Sequence, residues 1–208
     1  MTPSAEHHPA QQRRPWLART LLFAWGAGVL VVLSSLMTGH WVPLPVPPTD
    51  DAALRAGLQR YAPPATDGRW AIVHVLYAKC RCSRRVFDYL AERSSPDDVD
   101  EVVLLVGGDD ADLEAACGAR AIGLHKLTDE QLERQLGIEA APLFIVRDPL
   151  GEPRYTGGYT DRKQGLDYQD LTTLAQLREG ATVPPRPVFG CGVSSSLQDA
   201  LDPLGLKY

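Results

Sequence analysis

The chain has 208 residues, of which 44% are hydrophobic and 23% charged, and its formal net charge at pH 7 is -5. This length fits one globular domain with additional segments. The acidic balance, with no basic stripe or aromatic platform, argues against a nucleic-acid-binding protein, so no nucleic-acid partner is expected.

An uncharged apolar segment lies near the N-terminus. Residues 20–38 contain no charged side chain, and a helix needs about 20 residues to span a bilayer. Arg13, Arg14 and Arg19 precede this segment, and no lysine or arginine follows it before Arg55. The positive-inside rule then leaves the N-terminus in the cytoplasm. The sequence predicts a single-pass bacterial inner-membrane protein with its C-terminal domain in the periplasm, and a cleaved signal peptide is the alternative.

Composition divides the chain into five predicted segments. The stretch VPLPVPPTD contains four prolines and is typical of an extended spacer. The predicted segments are a cytoplasmic N-terminal segment (1–19), a transmembrane anchor or signal (20–38), a proline-rich linker (39–51), a folded domain (52–179) and a tail containing Cys191 (180–208).

Hydrophobic periodicity predicts alternating strands and helices in the folded domain. Helices are predicted to about residue 61 and over 82–93, 110–117, 128–136 and 168–178; strands are predicted over 70–77, 101–106, 121–127, 143–146 and 154–157. The first helix is expected to be capped by Thr49 or Asp50. A βαβ unit followed by a hairpin and a final helix implies a mixed sheet covered by helices on both faces.

Two cysteines separated by one residue follow the first predicted strand. Cys80 and Cys82 lie where a buried strand meets a helix N-terminus, whose unpaired N–H groups and dipole favour a thiolate. The surrounding basic residues are Lys79, Arg81, Arg84 and Arg85. We therefore expect a lowered thiol pKa and a reactive, accessible thiolate. A structural disulfide or simple packing is the alternative interpretation.

All four cysteines follow the apolar segment, on the side where disulfides persist after export. Cys117 follows two alanines on a predicted helix, so we expect it to be a small buried apolar residue. Four cysteines allow three full pairings, and the sequence does not choose among them. A pairing of Cys80 or Cys82 with Cys191 is one of the open alternatives.

At this point the chain resembles the thioredoxin-like superfamily, in particular its exported, membrane-anchored redoxins. The cysteine pair follows a central strand, Ala141-Pro142 precedes a buried strand as the family's cis-proline does, and Gly157-Gly158 follows the hairpin. Here one residue separates the cysteines instead of the family's two. The resemblance implies an α/β fold, a thioredoxin-like mixed sheet flanked by helices and preceded by one N-terminal transmembrane helix.

The resemblance also implies a thiol-disulfide oxidoreductase that acts on protein thiols and disulfides and needs no cofactor. In this interpretation Cys80 attacks the partner, Cys82 or Cys191 resolves the mixed disulfide, and Pro142 shapes the docking groove. His74 lies six residues before Cys80, where thioredoxins carry a buried acid, and is expected to move protons. A histidine satisfied within the core is the alternative for His74.

Three other functions remain open from the sequence. Cys80 and Cys82 are soft ligands suited to Cu(I), with His74 or His125 completing a site in a copper chaperone. A peroxidase of the peroxiredoxin type is less favoured, because Tyr77 stands where that chemistry needs Thr or Ser. A non-catalytic thioredoxin-fold envelope module is the remaining alternative.

Overall fold

The computed structural model describes residues 15–41, 43–63, 67–202 and 205. Contacts divide the chain into two compact units, one ending at Trp41 and the other beginning at Val42. The described part of the first unit is a single helix, α1 (Pro15–Trp41).

Helix α1 is apolar around its circumference. The stretch from Trp16 to Ser34 is long and apolar enough to cross a membrane, although a signal sequence near an N-terminus meets the same test. Large apolar side chains such as Leu21, Phe23 and Trp25 are exposed. A helix that is hydrophobic on all sides is stable when a non-polar environment surrounds it. The predicted N-terminal apolar helix is therefore present.

The second unit contains a mixed five-stranded sheet. Its described helices are α2 (Ala52–Tyr61), α3 (Arg81–Glu92), α4 (Ala111–Ala119), α5 (Asp129–Leu136), α6 (Asp170–Arg178) and α7 (Ser195–Leu201). Its strands are β1 (Trp70–Tyr77), β2 (Val99–Val106), β3 (Gly123–Leu127), β4 (Ala140–Ala141), β5 (Leu143–Arg147), β6 (Pro153–Gly157) and β7 (Cys191–Gly192).

The strand order of the main sheet is β3-β2-β1-β5-β6. Strands β1, β2 and β3 run parallel, β5 is antiparallel to β1, and β6 is antiparallel to β5. Separately, β4 pairs with β7 in a two-stranded ladder. The order and directions of the five strands are those of a thioredoxin-like fold, and the predicted fold class is confirmed.

Both faces of the sheet are buried, as the nearly uninterrupted apolar run of β1 predicts. Val73 and Val75 face a core formed with α2, α5 and the C-terminal tail. Ile72 and Leu76 face the opposite core, formed with α3, α4 and α6. Burying an aliphatic side chain of this size contributes about 1.5–3 kcal/mol relative to exposure, so these two layers hold the site's framework.

Local capping fixes several of the helix ends. Asp51 caps α2 by accepting a hydrogen bond from the N–H of Leu54, so the expected caps at Thr49 or Asp50 were wrong by one or two residues. Thr128 and Gln131 form the predicted capping box of α5, which ends at Gly137 in the left-handed conformation, as expected.

The C-terminal tail is more regular than the sequence indicates. The strand β7 pairs with β4, and α7 follows directly. Val188 forms a bridge with Leu44, and its side chain is completely buried. The tail therefore packs against the sheet-containing unit and contributes to its core.

Candidate functional site

The cysteine pair lies where β1 meets α3. β1 ends at Tyr77, Cys80 occupies the N-cap position, and Cys82 lies in the first turn of α3. The N–H of Tyr77 donates a hydrogen bond to Oγ of buried Ser83 at 3.0 Å. This bond joins the end of the strand to the start of the helix and fixes the turn that carries both cysteines.

Pro142 and the tail complete the site. The Ala141-Pro142 peptide bond is cis, as the resemblance predicted, and it separates β4 from β5. In the β4–β7 ladder, Cys191 is the register partner of Ala141. Cys82 and Cys191 both pack against the core that contains Cys80, and Cys191 lowers the pKa of Cys80. The structure therefore brings Cys80, Cys82 and Cys191 together beside the cis-proline.

The environments of Cys80 and Cys82 push their pKa values in opposite directions. Hydrogen bonds from Cys191 and then from Cys82 lower the pKa of Cys80, burial opposes them, and the N–H groups of Ser83 and Cys82 add to the lowering. The same Cys80–Cys82 hydrogen bond raises the pKa of Cys82, and burial and the charge of Cys80 raise it further. Cys80 is the thiolate of the cluster, and Cys82 is held as a thiol.

The expected cause of the lowered pKa was partly wrong. Arg84 is directed away from the thiols and forms ion pairs with three acidic groups, Asp88, Asp110 and Asp112. Arg85 lowers the pKa of Cys82 together with Lys163, although the pKa of Cys82 remains raised overall. Hydrogen bonds from neighbouring thiols and N–H groups, rather than the basic residues, stabilise the Cys80 thiolate.

The expected accessibility of Cys80 was also wrong. Its side chain is only 2% exposed, and it belongs to the same core as Val188 and Val193 of the tail. The sequence did not reveal this because the covering residues lie more than 100 positions away. Cys82 and Cys191 are partly exposed.

A small cavity of about 40 Å³ adjoins the thiol cluster. Cys82, Pro142, Tyr159 and Phe189 are among the side chains that line it. A cavity of this volume holds at least one water molecule when polar groups are available. Cys82 therefore borders a space large enough for a water molecule.

His74 contacts Tyr159 of the cavity wall and is completely buried. Its Nδ1 forms a hydrogen bond of 2.8 Å with the hydroxyl of Tyr159, and its Nε2 lies 3.9 Å from Oε2 of Glu101. Burial and then the charge of Arg93 lower the pKa of His74 well below its ordinary value. The described contacts of His74 thus connect it to the cavity through Tyr159 rather than directly to a cysteine.

A buried ion-pair network lies next to His74, and little in the sequence indicated it. Arg93 contacts Glu101 at 2.7 Å and Asp170 at 3.0 Å, and all three side chains are at most 8% exposed. The hydroxyl of Tyr89 donates to Asp170 at 2.8 Å. The one available signal was Glu101 at the start of an otherwise apolar strand segment.

The remaining candidate residues lie apart from the thiol cluster. Cys117 is buried in α4, as expected. His125 is exposed on β3, with its ring 5.8 Å from that of Tyr61. Within the described ranges, no group of three or more His, Cys, Asp or Glu residues is arranged to hold a metal ion. The histidines expected to complete a Cu(I) site do not join the cysteines.

No protein-family model matches the chain, and no curated protein matches it. Similar solved structures include a hypothetical protein from Sinorhizobium meliloti 1021, with 20% identity and a TM-score of 0.45 over 61% of this chain and 80% of that chain. A secreted disulfide oxidoreductase from Mycobacterium tuberculosis has 12% identity and a TM-score of 0.36, over 53% of this chain and 82% of that one.

The thioredoxin domain of a thiol-disulfide oxidoreductase from Bacteroides vulgatus has 18% identity and a TM-score of 0.32, over 41% of this chain and 67% of that one. At these identities the similarity concerns the fold alone. The thioredoxin-like assignment rests on this chain's own strand order and on its cis-proline.

Proposed function

We propose that this protein is a periplasmic thiol-disulfide oxidoreductase, anchored in the bacterial inner membrane by α1, whose reactive thiolate is Cys80. The observation that carries the proposal is the meeting of three thiols at a helix N-terminus beside cis-Pro142. Among them, Cys80 has a lowered pKa and Cys82 a raised one. A thiolate is the nucleophile of disulfide exchange, so this arrangement favours attack by Cys80.

The proposed exchange proceeds in two balanced steps. The Cys80 thiolate attacks a partner disulfide, forms a mixed disulfide with one partner sulfur and expels the other as a thiolate, which takes up a proton. Cys191 then loses its proton and attacks the Cys80 sulfur, which forms a Cys80–Cys191 disulfide and releases the second partner thiol. Two electrons pass to the partner, and the reverse sequence oxidises a partner dithiol.

We favour Cys191 over Cys82 as the resolving thiol. Cys191 is the first cause of the lowered pKa of Cys80, and it packs against the core that contains Cys80. The β4–β7 pairing holds Cys191 opposite Ala141. Cys82 would close a disulfide across a single intervening residue, and its raised pKa keeps it in the less reactive thiol form.

His74 and Tyr159 supply the proton route in this proposal. The cavity lies beside the thiol cluster, and Tyr159 connects its wall to Nδ1 of His74 at 2.8 Å. The lowered pKa keeps His74 neutral at pH 7, which is the form that accepts a proton. A proton released when the resolving thiol ionises passes through the Tyr159 hydroxyl to His74 only transiently, because the lowered pKa of His74 disfavours its protonated form, and it ends in the solvent of the cavity.

The proposal is tested by redox titration of the purified full-length protein. We expect a dithiol–disulfide couple in the wild type and catalysed reduction of a protein disulfide in the presence of dithiothreitol. Cys80→Ser removes the nucleophile, so both signals should fall to background. Cys117→Ser is the matched control and should retain both, because this buried cysteine lies in α4 outside the cluster.

Two outcomes would contradict the proposed oxidoreductase function. Full reductase activity in Cys80→Ser would exclude Cys80 as the nucleophile. Stoichiometric Cu(I) in the wild type, lost in Cys82→Ser and accompanied by no redox couple, would instead support a copper chaperone.

The membrane anchor is tested separately. We expect the protein to remain in membranes washed with alkaline carbonate and to keep its N-terminal residues, whereas a cleaved signal peptide would release a shortened chain.

A further inference from the structure

The C-terminal strand β7 occupies the edge of β4 beside cis-Pro142. Gly192 pairs with Ala140, and Cys191 pairs with Ala141. The ladder continues beyond the strand, because the N–H of Val193 donates a hydrogen bond to the carbonyl oxygen of Glu139 at 2.6 Å. The edge next to the reactive cysteine is thus filled by the protein's own chain.

Contacts on both sides of β7 hold it in place. Before it, the Arg186 side chain binds Oδ1 of Asp161 at 2.8 Å and Oγ1 of Thr173 at 2.9 Å. After it, Ser194 caps α7 by accepting a hydrogen bond from the N–H of Leu197. Val188 and Val193 on either side of β7 are buried in the core as well, so polar and apolar contacts together keep it in place. β7 pairs only with the two-residue strand β4 and not with the five-stranded sheet.

The position of β7 explains why Cys80 is buried. Cys80 is 2% exposed and shares a core with Val188 and Val193, which flank β7 and are themselves 0% and 1% exposed. Disulfide exchange requires that the thiolate reach a partner sulfur. A partner therefore gains access to Cys80 when this part of the tail moves away. The hydrogen bond from Cys191 is then lost, and the Cys82 thiol and the N–H groups of Ser83 and Cys82 continue to stabilise the thiolate.

We infer that β7 is an intramolecular occupant of the docking groove beside cis-Pro142, and that an extended partner segment displaces it so that the partner's cysteine takes the place of Cys191. This inference rests on the proposed function. When the tail returns, it places Cys191 against Cys80 and displaces the partner segment, so that docking of β7 and release of the product are the same event.

The geometry also limits which segments fit. A Cβ atom on Gly190 would collide with the carbonyl oxygen of Ala141 and would lie 2.6 Å from Cδ of Pro142. For a segment in the position of β7, the residue before the docked cysteine must therefore be glycine. The partner class is an extended polypeptide with a glycine directly before its reactive cysteine.

The first experiment measures alkylation of Cys80 by iodoacetamide in the reduced full-length protein, with the modified site mapped by mass spectrometry. Gly190→Ala should increase the rate at Cys80 at least about tenfold, because the added methyl group expels β7 from the edge. Ser194→Ala removes the α7 cap, worth about 1 kcal/mol, and should increase the rate about fivefold. Gly118→Ala is the control and should leave the rate unchanged, since no atom lies within 4 Å of its Cβ position.

Circular dichroism verifies that each variant is folded. If Gly190→Ala does not fold, Ser194→Ala decides the question, and a rate equal to that of the wild type overturns the inference. The inference is also overturned if Cys80 is alkylated as fast in the wild type as in Gly190→Ala, even when the wild type shows a redox couple. By contrast, absence of a redox couple in the wild type contradicts the proposed function whatever the alkylation rates are.

The second experiment tests the partner class with two synthetic peptides, VFGCGV, which has the sequence of residues 188–193, and VFACGV. Each is supplied as its symmetric disulfide to reduced Gly190→Ala protein, and the released peptide thiol is measured. We expect the glycine peptide to react at least about tenfold faster. Equal rates for the two peptides would show that partner segments do not take the place of β7.

Discussion

At the residue scale, the chemistry of the site depends on which atoms surround each thiol. Cys80 and Cys82 share one hydrogen bond, yet it lowers the pKa of one and raises that of the other, because the donor remains protonated and the acceptor ionised. The sequence predicted a lowered thiol pKa at this helix start. It did not predict the role of Cys191, because that contact depends on the path of a distant segment.

The buried His74 gives the protein a specific pH dependence. Because its pKa is lowered in the folded state, the unfolded chain binds a proton below about pH 6.5 that the native protein does not. The free energy of unfolding should therefore decrease as pH falls from 7 to 5. The contribution of one such group reaches about 1.4 kcal/mol per pH unit.

We expect His74→Gln to reduce the dependence of the free energy of unfolding on pH, measured by guanidinium titrations of the reduced protein at each pH. The Cys80 thiolate adds to the slope in both proteins, so the difference between them isolates the histidine. His125→Gln is the control, since this exposed side chain is solvated in both states. An unchanged slope in His74→Gln would show that His74 is not the buried neutral group described above.

The hydroxyl of Tyr159 is predicted to act in proton transfer. Tyr159→Phe keeps the ring that packs on Phe144, with centroids 5.0 Å apart, and removes only the hydrogen bond to His74. Because a positioned acid–base group contributes about 10²–10⁴ in rate, resolution of the mixed disulfide at pH 7 should slow about 10²-fold. The deficit should shrink as pH rises, since the resolving thiol then ionises without assistance.

Tyr155→Phe is the matched control for this prediction. Tyr155 is equally buried and also stacks on Phe144, but its hydroxyl accepts a hydrogen bond from the N–H of Arg186 and has no described contact with His74. Stopped-flow measurement of mixed-disulfide decay between pH 6 and 9 distinguishes the two variants. Identical pH profiles for both would indicate that Tyr159 has only a structural role.

At the element scale, the local sequence pattern predicted the strands that are buried on both faces and the helices that have a recognisable capping residue. The observed bounds of β1 are those predicted, and α5 lies between its predicted cap at Thr128 and stop at Gly137. The tail elements β7 and α7 were missed. Two residues of strand carry no periodicity, and their pairing with β4 is decided by tertiary contact rather than by local sequence.

Helices α2 and α5 approach each other closely at Gly57. A Cβ on Gly57 would lie 2.5 Å from both the carbonyl oxygen of Gln135 and Cγ of Leu136. Gly57→Ala should therefore destabilise the fold by about 1–3 kcal/mol through overpacking, although alanine is the better helix former. Gly118→Ala, in the open part of α4, should instead be neutral or stabilise by up to about 1 kcal/mol. Chemical denaturation of both variants tests the prediction, and equal effects would contradict the described packing of α2 on α5.

At the scale of the whole molecule, the sequence predicted the fold class because βαβ order, a hairpin and a proline before a buried strand together restrict the topology. It could not predict that the tail would cover the site. Proline and serine content is typical of an irregular segment, whereas the structure pairs Cys191 with Ala141 and buries Val188. The candidate site is therefore assembled from a strand–helix junction, a cis-proline and a C-terminal strand more than 100 residues from Cys80.

The proposed function depends on Cys80 and Cys191 forming the redox couple. We would equilibrate the full-length protein with glutathione buffers of increasing oxidising strength, quench with acid and map the disulfides by mass spectrometry. We predict a Cys80–Cys191 disulfide in the oxidised protein, with Cys82 and Cys117 remaining thiols. A Cys80–Cys82 disulfide, or a Cys191 that stays reduced while the protein is oxidised, would contradict the account.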